Sequence, residues 1–173
     1  MMKESTPLQI IEINSKPEPD LLHQLYDLNQ ENVPEVGSLS SLKELNDLIQ
    51  MSNITRYILS ENKIIAFLVC FREGSKYHSL NYKFFNHHEK EFLYVDRVAV
   101  KKGFINQGLG SRLYGQLYEE CQDALLPICC EVNTYPVNQI SLNFHSKNGF
   151  QDVGKFEFDD HSVVYLKKIN HYA

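Results

Sequence analysis

Apolar positions recur along this chain in two rhythms, a period near two and a period near 3.6, and the switches between them mark the elements. Residues 8–13 alternate as a short strand and end at the turn formers Asn14, Ser15 and Pro17. Pro19 and Asp20 open a helix whose apolar face carries Leu21, Leu22, Leu25, Tyr26 and Leu28, and residues 32–37, with Pro34, interrupt it. A second helix over about residues 40–51 places Leu42, Leu45, Leu48 and Ile49 on one stripe, and the helical pair is expected to overhang a cleft. Residues 54–59 and 63–72 are β-rich runs joined at Glu61-Asn62, the spacing of a hairpin.

Residues 74–89 are polar and aromatic and too long for a simple turn, so they form either an ordered excursion or a substrate-facing loop. Residues 92–100 read as a strand, Gly108 opens a helix to about Leu125, and residues 128–132 read as a strand, together a β-loop-α-β unit that implies adjacent parallel strands. A shorter helix over residues 138–148 closes at Gly149; Ile140 and Phe144 are expected to face the core, and Ser141 and His145 a cleft. Two strands, 151–158 and 162–168, meet at Asp159-Asp160. The alternation predicts an α/β (α+β) chain with a mixed central sheet flanked by helices.

Composition narrows the function classes. With 173 residues, 43% hydrophobic and 23% charged, the chain has the makeup of one globular domain, with no repeat, linker or low-complexity tract. The formal net charge of −5 offers no global field for a polyphosphate backbone, so nucleic-acid binding is not expected. The longest apolar run, residues 64–71, is shorter than the roughly 18 residues of a membrane span. No apolar signal core follows the first residues, which makes the cytoplasm the expected compartment. Cys70, Cys121, Cys129 and Cys130 show no CxxC spacing and read as reduced core thiols. The histidines lack ligand spacing with one another or with cysteine, so no metal is expected.

Residues 98–113 carry the most chemistry. A strand ending Val98-Ala99-Val100 runs through Ile105, Asn106 and Gln107 to Gly108-Leu109-Gly110, then into a helix beginning with Ser111 and Arg112. Glycines let the main chain approach a ligand without a Cβ in the way, and a helix N-terminus adds partial positive charge, so a phosphate or pyrophosphate suits the loop. Arg97, Lys101, Lys102 and Arg112 form a basic island without an acid between Arg97 and Tyr118. Two plainer readings stay open: the glycines only shape a tight connection, and the lysines are solvated turn residues. Gly108, Gly110 and Glu131 also imitate a dinucleotide fingerprint, but Leu113 stands at the third glycine position.

Taken together, these residues resemble the GNAT superfamily of N-acyltransferases, in which a strand ending Leu/Val-Ala-Val leads to Arg/Gln-x-x-Gly-x-Gly/Ala and a helix. A second motif, Asn138-x-x-Ser141-x-x-Phe144-His145 closing at Gly149-Phe150, follows in the right order. The Tyr94-to-Val100 strand, the Cys130-Glu131-Val132-Asn133 strand and the motif histidine are similar to a bacterial single-domain branch of that superfamily. The resemblance implies an acetyl-CoA-dependent N-acetyltransferase acting on a primary amine of a small molecule or peptide. The alternative it leaves is a non-catalytic acyl-CoA-binding sensor or regulatory module.

By the same resemblance, amides of residues 105–112 wrap the coenzyme A pyrophosphate, and Val98, Ala99 and Val100 align the pantetheine, with Asn138, Ser141 and Phe144 packing beside it. A homodimer through sheet edges or through the terminal segment to Tyr172 is also implied. Two departures stand out: Ile105 replaces the usual Arg/Gln, and the link from Val132 to Asn138 is long.

Acetyl transfer requires a neutral amine, a stabilised carbonyl oxygen and a protonated leaving thiolate. Asp96 is the first candidate for the base, with a structural ion pair or strand hydrogen bond as its plainer role, and Glu131 is the second. His145 stands, by resemblance, where many relatives carry a tyrosine acting as general acid near the coenzyme sulfur. Tyr77, Asn81, Tyr82, Glu35 and Asn32 are candidates for the acceptor pocket, each equally suited to loop packing.

Overall fold

A computed structural model describes residues 7–169. The elements run β1 (Gln9–Glu12), α1 (Pro19–Glu31), α2 (Leu42–Met51), β2 (Ile54–Ser60), β3 (Lys63–Arg72), α3 (Leu80–His88), β4 (Leu93–Val100), α4 (Leu109–Asp123), β5 (Ile128–Tyr135), α5 (Gln139–Lys147), β6 (Gln151–Glu157) and β7 (Ser162–Lys168). The strands form a mixed seven-stranded sheet in the order β1-β2-β3-β4-β5-β7-β6. The chain divides into two compact units, Met1–Val69 with Arg97–Gly115 and Cys70–Asp96 with Gln116–Ala173. No helix of the described residues is long and apolar enough to cross a membrane.

In the first unit β1 pairs antiparallel with β2, from Gln9 opposite Leu59 to Glu12 opposite Arg56. Glu61 and Asn62 both take positive φ, 46° and 63°, the geometry of a two-residue hairpin turn. Pro19 starts α1 where its missing N–H costs nothing, and the Ser41 side chain caps α2 by accepting from Glu44 N. The helices bury Leu25, Leu28, Leu45, Leu48 and Ile49. Between them Asn29 donates to Gly37 O, Tyr26 to Leu39 O, and Leu39 N to Gln30 Oε1, so the 32–41 connection is pinned at several points.

The second unit is organised around β5. It pairs antiparallel with β7 along its length, and β7 carries β6 through a bulge at Asp152/Gly154. The parallel β4–β5 pair expected from the β-loop-α-β pattern is present, but only at Leu93–Ile128 and Tyr94–Cys129. The 74–89 stretch is an ordered excursion that contains α3, capped by Ser79 accepting from Tyr82 N. Its Tyr82 and Phe85 insert into an aromatic core with Phe71, Phe92 and Tyr94. All four cysteines are buried and lie outside any disulfide.

α5 is rotated from its expected orientation, although Phe144 stays half-buried. Ile140 is 66% exposed, and the buried residue of this helix is His145. The 3.6-residue period allows either stripe to face inward. His145 satisfies its polar edge locally, donating from Nδ1 to Ser141 O at 2.8 Å, and its ring meets Phe144 and Phe150 edge-on.

Candidate active site

In the first unit, the strand end and the α4 entry are built from backbone. Ala99 is fully buried, Val98 and Val100 half-buried; Val100 O accepts from the Asn32 side chain at 3.2 Å, and Lys101 N donates to Ile65 O at 2.8 Å. Positive φ at Gly103, Asn106 and Gly108 (90°, 65° and 74°) then curls the chain, a conformation open to glycine and tolerated by asparagine. Arg112 N makes the first α4 bond, to Gly108 O. From Ile105 through Asn106, Gln107, Gly108, Leu109 and Gly110 to Ser111, no backbone N–H finds an acceptor among the described residues.

That run of donors fits an anionic group. A Cβ added at Gly108 or Gly110 would meet nothing within 4 Å, so the main chain is uncrowded at both positions. Ile105 exposes its side chain, and only its amide is placed to contribute. The basic island is weaker than its sequence suggests. Arg97 is buried and donates to Asn29 Oδ1 at 2.8 Å and Gly37 O at 3.2 Å. Lys101 lies 4.0 Å from Glu31, whose carboxylate also accepts from Lys102 N. Arg112 remains exposed on the first turn of α4.

In the second unit, two carboxylates sit just beyond the point where β4 and β5 stop pairing. The Tyr94 hydroxyl donates to Glu131 Oε2 at 2.7 Å, and the Tyr77 hydroxyl to Asp96 Oδ1 at 2.6 Å. Tyr94 is fully buried; loss of solvation, then the charges of Glu131 and Asp96, hold its phenol well above the ordinary value, so it stays a donor. Past the last β4–β5 pair, β5 stays held on its other side by β7, with Cys130 opposite Leu166 and Glu131 opposite Tyr165.

The second motif also lies in this unit. Asn138 caps α5, its Oδ1 accepting from Ser141 N at 3.2 Å, and Ser141 Oγ lies 3.2 Å from His145 Nδ1. A carbonyl only accepts, so the bond to Ser141 O puts the proton on Nδ1 and leaves Nε2 the lone-pair nitrogen of the neutral ring. Burial pushes the imidazole below its ordinary value, against the opposing effect of that hydrogen bond. The general-acid role implied by resemblance would fall to Nε2, which can donate once it has taken up a proton.

Of the residues expected around the acceptor, Tyr77 reaches Asp96, whereas Tyr82 is buried in the aromatic core and Asn81 accepts from the Tyr165 hydroxyl. Asn32 donates to Leu28 O and Val100 O. Glu35 is exposed on the α1–α2 connection. The terminal segment to Tyr172 lies outside the described residues. No group of three or more His, Cys, Asp or Glu that could hold a metal occurs among the described residues.

The family model described as "Acetyltransferase (GNAT) family" matches residues 22–150. No curated protein matches the chain by sequence. Among solved structures, the ribosomal-protein-S18-alanine N-acetyltransferase from Escherichia coli superposes with a TM-score of 0.66 at 16% identity, covering 96% of each chain. Arabidopsis thaliana Naa50, in complex with the bisubstrate analogue CoA-Ac-MVNAL, gives 0.67 at 17% identity over 93% of this chain and 97% of its own. An aminoglycoside 6'-N-acetyltransferase complexed with coenzyme A gives 0.67 at 14% over 95% and 98%. At these identities the likeness speaks for the fold.

Proposed function

We propose, from the premise that this chain belongs to the GNAT acetyltransferase family, that it transfers the acetyl group of acetyl-CoA to a primary amine of a small molecule or peptide. The observation that carries this reading is the parting of β4 from β5 after Tyr94 and Cys129, with Asp96 and Glu131 beyond the last pair. A carboxylate beyond the last strand pair supplies the proton acceptor that an incoming ammonium needs before it can act as a nucleophile.

Donor binding rests on the backbone of the α4 entry. The amides of residues 105–111 present a row of donors to the diphosphate, and Gly108 and Gly110 leave room for it. Arg112 adds a charged side chain, and Ile105 supplies an amide where the family pattern supplies a long polar side chain as well. Val98, Ala99 and Val100 offer strand backbone to the pantetheine amides. Asn138, Ser141 and Phe144 are assigned to the pantetheine by resemblance, with Asn138 also serving as the α5 cap.

The chemistry then assigns roles to this chain's ionisable groups. Asp96, or Glu131 in its place, takes a proton from the acceptor ammonium. The neutral amine attacks the thioester carbon, a C–N bond forms, the C–S bond breaks, and the second nitrogen proton leaves as the thiolate becomes a thiol. His145 is assigned, by resemblance, to the coenzyme sulfur: its Nε2 takes the second nitrogen proton and hands it to the departing thiolate. The acceptors named for similar folds are of two chemical kinds, a protein or peptide amine and an aminoglycoside.

Incubation with acetyl-CoA and a panel of peptide and small-molecule amines, read by thiol release, tests the reading. Turnover with any of these amines supports it. Saturable coenzyme A binding without turnover favours an acyl-CoA sensor, and no binding removes the donor assignment altogether.

A further inference from the structure

We propose that Tyr77 is a positioning residue that fixes the Asp96 carboxylate in place for the acceptor amine, and that the excursion between β3 and β4 exists in this chain to deliver it. The inference rests on the reading of Asp96 as the proton-accepting group.

The segment is more elaborate than a connection between two strands requires. It leaves β3 at Arg72, whose carbonyl accepts from the Tyr82 hydroxyl at 2.7 Å. The same hydroxyl oxygen accepts from Ser75 N at 2.9 Å, and Ser75 Oγ accepts from Tyr77 N at 3.2 Å. Gly74 N is held by Asn86 Oδ1, and Glu73 ties the segment to the start of β4 by accepting from Phe92 N at 3.1 Å. Successive residues leading to Tyr77 are therefore anchored from α3 or the strands.

The ring of Tyr77 is fixed as firmly as its backbone. It stacks on Phe71 with centroids 4.3 Å apart and planes 8° apart, and Tyr82 closes one side at 5.8 Å. From that position the hydroxyl reaches Asp96 Oδ1 at 2.6 Å, the length of a charge-assisted bond. A phenol clamped by stacking holds its partner carboxylate in one rotamer before the acceptor arrives, which is how positioning shortens the path to the reactive arrangement.

The test is Y77F, which keeps the stacking ring and removes only the hydroxyl, compared with D96N and the Y77F/D96N double variant in the thiol-release assay. Y77F is expected to lower kcat roughly 10- to 100-fold and to leave the KM for acetyl-CoA unchanged, with a native circular dichroism spectrum. The double variant is expected to be no slower than D96N alone, because Tyr77 acts through Asp96. The proposal is overturned if Y77F turns over within about twofold of wild type, or if it slows D96N by the same factor as it slows wild type. D96N at wild-type rate overturns the assignment of Asp96 and this inference with it, while transferase activity persists. A wild-type protein with no turnover on any amine overturns the parent reading and this inference together.

Discussion

The Tyr94 hydroxyl reaches Glu131 Oε2 over 2.7 Å from the last residue of β4 that still pairs with β5. Glu131 lies two positions past Cys129, the partner of Tyr94, so the phenol links the last paired position of β4 to β5 beyond that pair. Y94F would remove a donor to a carboxylate in a place where the phenol is fully buried. Its expected cost is about 1–3 kcal/mol in urea unfolding. A loss below about 0.5 kcal/mol would show that this bond does not help hold the parting in shape.

Gly110 separates stability from donor binding. It lies in the first turn of α4 with helical backbone, and an added Cβ meets nothing within 4 Å. G110A should therefore stabilise the fold by about 0.5 kcal/mol through helix propensity and reduced freedom of the unfolded chain. The methyl would also stand over the amides assigned to the diphosphate, so coenzyme A affinity should fall roughly tenfold or more, a loss of about 1.4 kcal/mol. Calorimetry paired with thermal melts checks both signs. Unchanged affinity in a stabilised variant would remove the diphosphate from this turn.

The sequence pattern showed the strands and most helices because their signals are local. The Glu61-Asn62 turn, the proline at the start of α1 and the glycines at the α4 entry each act within a few residues. α3 escaped as a helix because Asn81, Tyr82, Phe84, Phe85, His87 and His88 are mediocre helix formers, and its stability comes from burying Tyr82 and Phe85. The orientation of α5 escaped because periodicity fixes the spacing of a face and not its direction; Ile140 points outward while His145 satisfies itself on Ser141.

The candidate site was legible where it is made of backbone. Glycine spacing and the strand-to-helix switch mark residues 105–111, the segment whose backbone N–H groups find no acceptor among the described residues. Side-chain partners across long separations were not legible: nothing near Asp96 in the chain announces a phenol 19 residues earlier. Counting charges also overstated the basic island, because Arg97 turns to Asn29 and Lys101 faces Glu31.

His145 gives the protein an acid sensitivity of predictable sign. Burial holds its folded-state value below the ordinary imidazole value of about 6.5, so the folded protein resists a proton that the unfolded chain accepts. The corresponding stability is fully present above about pH 6.5 and is lost as the pH falls from there toward the folded-state value. Thermal midpoints taken from about pH 7.5 to about pH 5.5 should decline more steeply for wild type than for H145F. Parallel declines would show that other groups set the slope.

Asn29 should govern how firmly the α1–α2 connection is held. The residue is fully buried; its Oδ1 accepts from Arg97 Nη1 at 2.8 Å, and its Nδ2 donates to Gly37 O at 3.1 Å. Arg97 also donates to Gly37 O at 3.2 Å, so one amide side chain serves both a buried guanidinium and the carbonyl that guanidinium touches. N29A withdraws an acceptor from a charge that cannot be neutralised and a donor from a backbone oxygen, at an expected cost of about 2–3 kcal/mol. The loss should be local as well as global, appearing as faster cleavage within residues 32–41 in limited proteolysis under native conditions. N29D keeps an acceptor for Arg97 and adds a charge to pair with it, but loses the donor to Gly37 O and Gln30 Oε1 and sets a carboxylate oxygen against them, so it should lie between N29A and wild type in both measurements. An N29A protein as stable and as protease-resistant as wild type would mean that Asn29 does not hold this connection.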